Sequence, residues 1–128
     1  MAKIVVMGAG LGGVACAYEM KKKVGGAHQV TLVGSSPYFE FTPSNPWMMV
    51  GWRTAPQTRV ELEKPLAAKD IAWVPRMVQA IDAQGSRLTL DGGTGLDYDY
   101  LVIATGPKQL APAAAPTTIG PGACTNCW

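Results

Sequence analysis

The segment "KIVVMGAGLGG", residues 3–13, constrains the fold of this chain more than any other. Its apolar run at 3–7 reads as a buried parallel strand. The run ends in Gly8, Gly10, Gly12 and Gly13, spaced so that 8–13 spells G-x-G-x-x-G. Beyond it, Val14, Cys16, Ala17, Met20 and Val24 fall near one face at helical spacing. Lys21–Lys23 put cations at the carbonyl end of that helix, and Gly25–Gly26 stop it. A second apolar run, "QVTLV" at 29–33, follows. Strand, helix and strand within about 30 residues make a βαβ unit.

The glycines suit a dinucleotide. Gly8 permits the tight turn, Gly10 lets a pyrophosphate approach the backbone, and Gly13 lets helix and strand pack closely. The helix N-terminus adds free N–H groups and positive potential. The alternative is a glycine-rich turn in an unrelated α/β protein. An acidic residue is expected at the tip of the second strand to hold a ribose, but the chain reads Gly34-Ser35-Ser36 there. A serine hydroxyl can bond a ribose without charge. No arginine precedes Arg53, so a 2′-phosphate has no obvious partner.

Downstream, 34–57 reads as a loop, "VELEKPLAAK" at 60–69 as a short helix with Pro65 in its first turn, and 71–74 as a third strand. Residues 76–100 alternate in polarity, with turn signals at Gln84–Gly85 and Asp91–Gly93, as an antiparallel meander does. "YLVIAT" at 100–105 is a further buried strand, ending in Ala104-Thr105-Gly106. Open α/β sheets bind ligands at such carboxyl ends. Residues 107–123 are rich in Pro, Ala and Gly, as a linker is, and the chain stops at "CTNCW" without finishing an element.

The loop contains "FEFTPSNPWMMVGW", 39–52, with two Trp, two Phe, two Met and two Pro. Pro43 and Pro46 stiffen its backbone. Phe41, Trp47 and Trp52 supply apolar surface, and Asn45 an amide. Such a block either walls a flat apolar ligand or packs a core or interface.

A glycine turn of this kind joined to an "ATG" strand resembles the two-dinucleotide-binding flavoproteins. "PYFEFTPSNPWMMVGW" followed by "YDYLVIATGPK" resembles the sulfide:quinone oxidoreductases in particular, from Met1 to about Lys108. The resemblance implies an α/β fold: a Rossmann-like FAD-binding βαβ unit with a parallel sheet and a small antiparallel meander, as an incomplete domain. It implies an FAD-binding domain at 1–108 and a truncated linker with a C-x-x-C at 109–128. Cofactor contacts are implied at Gly8, Gly10, Gly12, Gly13, Ser35, Ser36, Pro43, Asn45, Val78, Ala104, Thr105 and Gly106. In that family, cysteines beside the flavin carry sulfur, and electrons pass through FAD to quinone. The "I-C-T" context of one such cysteine matches Cys124 best, with Cys127 as the alternative. The substrates implied are sulfide and quinone, and the site of action is the cytoplasmic side of a membrane, held peripherally through a part of the enzyme beyond this chain. The family enzyme is longer, so the chain is expected to be its N-terminal portion and inactive alone.

Other readings stay open. A type II NADH:quinone oxidoreductase needs no such cysteines, and the flavin subunit of a flavocytochrome c sulfide dehydrogenase usually carries an export signal. A non-catalytic nucleotide-binding module would give Cys124 no redox role. C-T-N-C also fits a thiol-exchange pair, an inert pair, or half a zinc site. Zinc needs two further ligands, and only Cys16 and His28 remain, so no metal is expected. Cys16 reads as helix packing and His28 as a solvated turn residue. Eleven basic and nine acidic residues, mixed along the chain, argue against nucleic acid. No run reaches the about 18 apolar residues of a spanning helix, and the start does not read as a signal peptide. Nothing in the sequence sets an oligomeric state.

Overall fold

The structure is a computed structural model that describes residues 1–106. β1 (Lys3–Met7), α1 (Leu11–Val24) and β2 (Gln29–Val33) form the βαβ unit. β3 (Tyr38–Glu40) pairs with β4 (Arg59–Glu61) as a short ribbon, and α2 (Asn45–Met49) lies between them in sequence. After these come α3 (Glu63–Ala67), β5 (Ala72–Val74), the meander β6 (Val78–Asp82), β7 (Arg87–Leu90) and β8 (Gly95–Asp97), and finally β9 (Tyr100–Ile103).

The main sheet is parallel, in the order β5-β2-β1-β9. From β1 the chain winds to β2 and β5 on one side, and β9 returns on the other. The strand order therefore reverses at β1, and this places a ligand crevice at the carboxyl ends of β1 and β9. Asp99 locks the opposite end: the Lys3 N–H donates to Asp99 Oδ2 at 2.6 Å, and the Asp99 N–H to the Lys3 carbonyl at 2.9 Å.

Period two along each strand divides the core between the two faces of this sheet. Ile4, Val6, Val30 and Leu32 pack with Ala17 of α1 and with Leu62, Leu66 and Ile71. Val5 and Val33 point the other way, against Leu88 and Leu90 of β7. Both faces are thus covered, which is why β1 and β2 are nearly continuous apolar runs. Leu88 is fully buried and joins the meander to the sheet. Leu88→Ala is expected to cost about 2–5 kcal/mol in chemical denaturation.

α1 ends where Gly25, at φ 57°, donates its N–H to the Lys21 carbonyl. Lys21 Nζ reaches Asp70 Oδ2 at 2.6 Å, an ion pair whose carboxylate is exposed. Cys16 is half-buried against the core, as helix packing requires. His28 is not a solvated turn residue: it is half-buried, and its Nδ1 accepts the Ala2 N–H at 3.1 Å.

The described residues divide into two compact units, Met1–Phe39 with Glu61–Gly106, and Glu40–Val60. Inside the second, the expected loop is folded. A 3-10 turn at Thr42–Ser44 leads into α2, and another at Ala55–Gln57 carries a Thr54–Gln57 capping box. The expected helix over 60–69 is shorter. Val60 and Glu61 are strand, and α3 begins only at Glu63, with Pro65 in its first turn as expected.

Candidate functional site

Backbone bonds pin the carboxyl end of the sheet. The Gly8 N–H donates to the Val33 carbonyl and the Ala104 N–H to the Met7 carbonyl, both at 2.8 Å. Gly8 has φ +114°, a conformation that side chains disfavour. A β-carbon there would run into the Ala104 carbonyl and lie 2.8 Å from the Thr105 nitrogen. A β-carbon on Gly13 would overlap the Gly8 carbonyl. Gly8, Gly13, Ala104 and Thr105 therefore form one tight junction, with no space for side chains between its members.

Gly10 and Gly12 differ. Nothing among the described residues lies within 4 Å of a β-carbon built on either. Gly10 is the N-cap of α1, at φ −78° and ψ −174°, and no side chain caps the helix. The Val14 N–H is the first to bond within the helix, to the Gly10 carbonyl at 3.0 Å. The helix thus begins with uncapped donors beneath open space, a cradle that fits a diphosphate.

At the tip of β2, Ser35 and Ser36 are exposed. Ser36 Oγ accepts the Tyr38 N–H at 3.2 Å. Val78 is half-buried at the start of β6, pairs with Leu90, and packs against the core of Val5, Val33, Leu88 and Leu90. Gly106, at φ +71°, ends the described chain beside Thr105.

The structure thus gathers Gly8–Gly13, Gly34–Ser35 and Ala104–Gly106 at one end of the parallel sheet. Pro43 and Asn45 belong to the second unit, where Pro43 is exposed in the first 3-10 turn and Asn45 opens α2. In that unit the Trp47 carbonyl accepts the Trp52 N–H at 2.8 Å, and the Arg53 guanidinium stacks 4.5 Å from the Trp47 ring centroid. Phe41, Trp47, Met49, Val50 and Trp52 are all exposed, Trp52 by 77 %. Cys124 and Cys127 lie outside the described residues. Among the described residues no group of three or more His, Cys, Asp or Glu forms a metal-ligand set, and no helix is long and apolar enough to cross a membrane. Sequence reading missed one residue of this end, Gly34, which packs against Ala9 of the glycine turn.

A parallel sheet with its order reversed at β1, a glycine turn under an uncapped helix and a covering meander define a Rossmann-like, FAD-binding oxidoreductase fold. The pyridine nucleotide-disulphide oxidoreductase family matches residues 2–125, and the chain belongs to it. The sulfide-quinone reductase of Aquifex aeolicus (strain VF5) is 36 % identical over 126 residues, covering 98 % of this chain and 29 % of that protein. An X-ray structure of the sulfide:quinone oxidoreductase from the same bacterium has a TM-score of 0.81 at 36 % identity, over 86 % of this chain and 25 % of that one. An NADH dehydrogenase-like protein of Mycobacterium tuberculosis (strain CDC 1551 / Oshkosh) is 29 % identical over 119 residues, 88 % of this chain and 28 % of that protein. The chain thus spans under a third of the length of each.

Proposed function

We propose that this chain is the FAD-holding portion of a sulfide:quinone oxidoreductase, an enzyme that oxidises sulfide to polysulfide or sulfur and delivers the electrons to quinone. One observation carries the reading: 36 % identity to a sulfide-quinone reductase over 98 % of this chain, a span that takes in both the glycine turn and the aromatic block at 39–52. FAD, when bound, supplies a reversible two-electron acceptor. The residues present divide the remaining tasks. The uncapped donors after Gly10 hold the diphosphate, with Gly12 leaving the approach open. Ser35 and Ser36 offer hydroxyls to the ribose. Val78 and Ala104–Gly106 line the cofactor's path, and Pro43 and Asn45 belong to a stiff wall for its ring system. Cys124, or Cys127 in its place, is the thiol that accepts sulfur. Quinone is lipid-soluble, so the reaction belongs at a membrane surface, with peripheral contact on the cytoplasmic side.

The test is spectroscopic. In the full-length enzyme, loaded with FAD, the flavin is expected to lose its absorbance on addition of sulfide and to recover it on addition of quinone. Cys124→Ser is expected to keep the flavin and lose the sulfide response, while Cys127→Ser reports on the alternative. Bleaching by NADH and not by sulfide would overturn the reading in favour of an NADH:quinone oxidoreductase.

A further inference from the structure

We propose that Gly34 is a positioning residue for the cofactor. Residues 9 and 34 share a space that holds one β-carbon, and their fit fixes the tip of β2 against the glycine turn. The inference rests on the FAD reading above.

A β-carbon built on Gly34 lies 2.5 Å from Ala9 Cβ, 3.2 Å from the Ala9 nitrogen and 3.2 Å from Trp73 Cη2. Two carbons at rest stand about 3.5–4.0 Å apart, so a methyl group at 34 displaces one of its neighbours by roughly 1 Å. Little slack is available. The Gly34 N–H is tied to the Val74 carbonyl at 3.1 Å, and the Gly8 N–H to the Val33 carbonyl at 2.8 Å. The Trp73 ring is itself packed against the core. Strain at 34 therefore leaves through one of two exits. Either Ala9 moves, carrying its neighbours Gly8 and Gly10 with it, or the strand tip moves, carrying Ser35.

Both exits alter one spacing, that between the diphosphate cradle and the hydroxyl at the end of β2. Ser36 Oγ accepts the Tyr38 N–H and keeps its own O–H to donate, so both hydroxyls at this tip move with the strand. A bound dinucleotide must meet the diphosphate cradle and the hydroxyls offered to its ribose at the same time, so its affinity depends on this spacing. The size of residue 34 alone does not set it. Removing the β-carbon at 9 takes away the shortest of the three contacts and leaves those to the Ala9 nitrogen and to Trp73 Cη2, both at 3.2 Å.

The experiment is a mutant cycle on the purified protein, with FAD affinity measured by quenching of flavin fluorescence and the FAD-free thermal midpoint by circular dichroism. Gly34→Ala is expected to weaken FAD binding roughly tenfold or more. Adding Ala9→Gly removes the 2.5 Å contact and is expected to recover most of the lost affinity. Leu66→Ala, in the core and away from the turn, lowers the midpoint at least as far yet leaves FAD affinity within about threefold. Unchanged affinity in Gly34→Ala, failure of Ala9→Gly to rescue it, or equal weakening by Leu66→Ala would each overturn the inference. If the starting protein binds no FAD, the cofactor reading itself fails and takes this one with it. Binding that is intact but indifferent to the cycle defeats the positioning role alone.

Discussion

Gly13→Ala is expected to destabilise the FAD-free protein by about 3 kcal/mol, lowering its thermal midpoint by roughly 10 °C or more. The residue lies in the first turn of α1, where alanine ordinarily gains about 1 kcal/mol over glycine. Here that gain is overwhelmed, because the new β-carbon overlaps the Gly8 carbonyl, a backbone atom that cannot rotate aside. Gly8 is itself held by its bond to Val33 and by contact with Ala104. Relief requires α1 to lift from β1, breaking the packing of Ala17 against Ile4 and Val6. Gly12→Ala is the counterpart. Its β-carbon meets nothing within 4 Å among the described residues, so the helical preference for alanine acts alone and the midpoint rises. Neighbouring glycines in one motif thus give opposite signs. Equal effects from the two substitutions would show that α1 does not sit on the Gly8 carbonyl.

That contrast bears on what the sequence alone could show. β1 and β2 were legible as apolar runs because they are covered on both faces, by α1 and α3 on one and by the meander on the other. β9 was placed correctly, but it is not the buried strand expected: it lies at the sheet edge, with Leu101 and Val102 half-buried and Tyr100 and Ile103 exposed. The meander was legible through its turns. Asp82 Oδ1 accepts the Gln84 and Gly85 N–H groups, and Gly92 and Gly93 take positive φ. Both devices are written in two or three adjacent residues. β3 and β4 were not legible, since a three-residue strand shows no period. The start of α3 was missed for a related reason. The Leu62 N–H bonds the Pro37 carbonyl at 3.0 Å, a contact across 25 residues that no local window contains. The site follows the same division. The glycine turn is a local signal. The contact of Gly34 with Ala9 and Trp73 joins three separate segments, and only the fold brings them together.

The second large effect separates folding from binding at Gly10. Its backbone, at φ −78° and ψ −174°, already has the extended geometry of an N-cap, yet no side chain caps α1. Serine is preferred over glycine at this position because its oxygen accepts an N–H from the first turn. Gly10→Ser is therefore expected to stabilise the FAD-free protein by a few tenths of a kcal/mol, or at worst to leave it unchanged. The same hydroxyl occupies the open space above the turn and engages a donor that the diphosphate needs. FAD affinity is expected to fall roughly 100-fold, equivalent to about 2.8 kcal/mol. Isothermal titration with FAD and melting without it read the two effects separately. The opposed signs are the diagnostic feature, because a substitution that merely damaged the fold would lower both. A Gly10→Ser protein that melts no lower and still binds FAD as tightly would show that the diphosphate does not rest on this helix end. The cofactor assignment for the glycine turn would then be wrong, although the fold around it would stand.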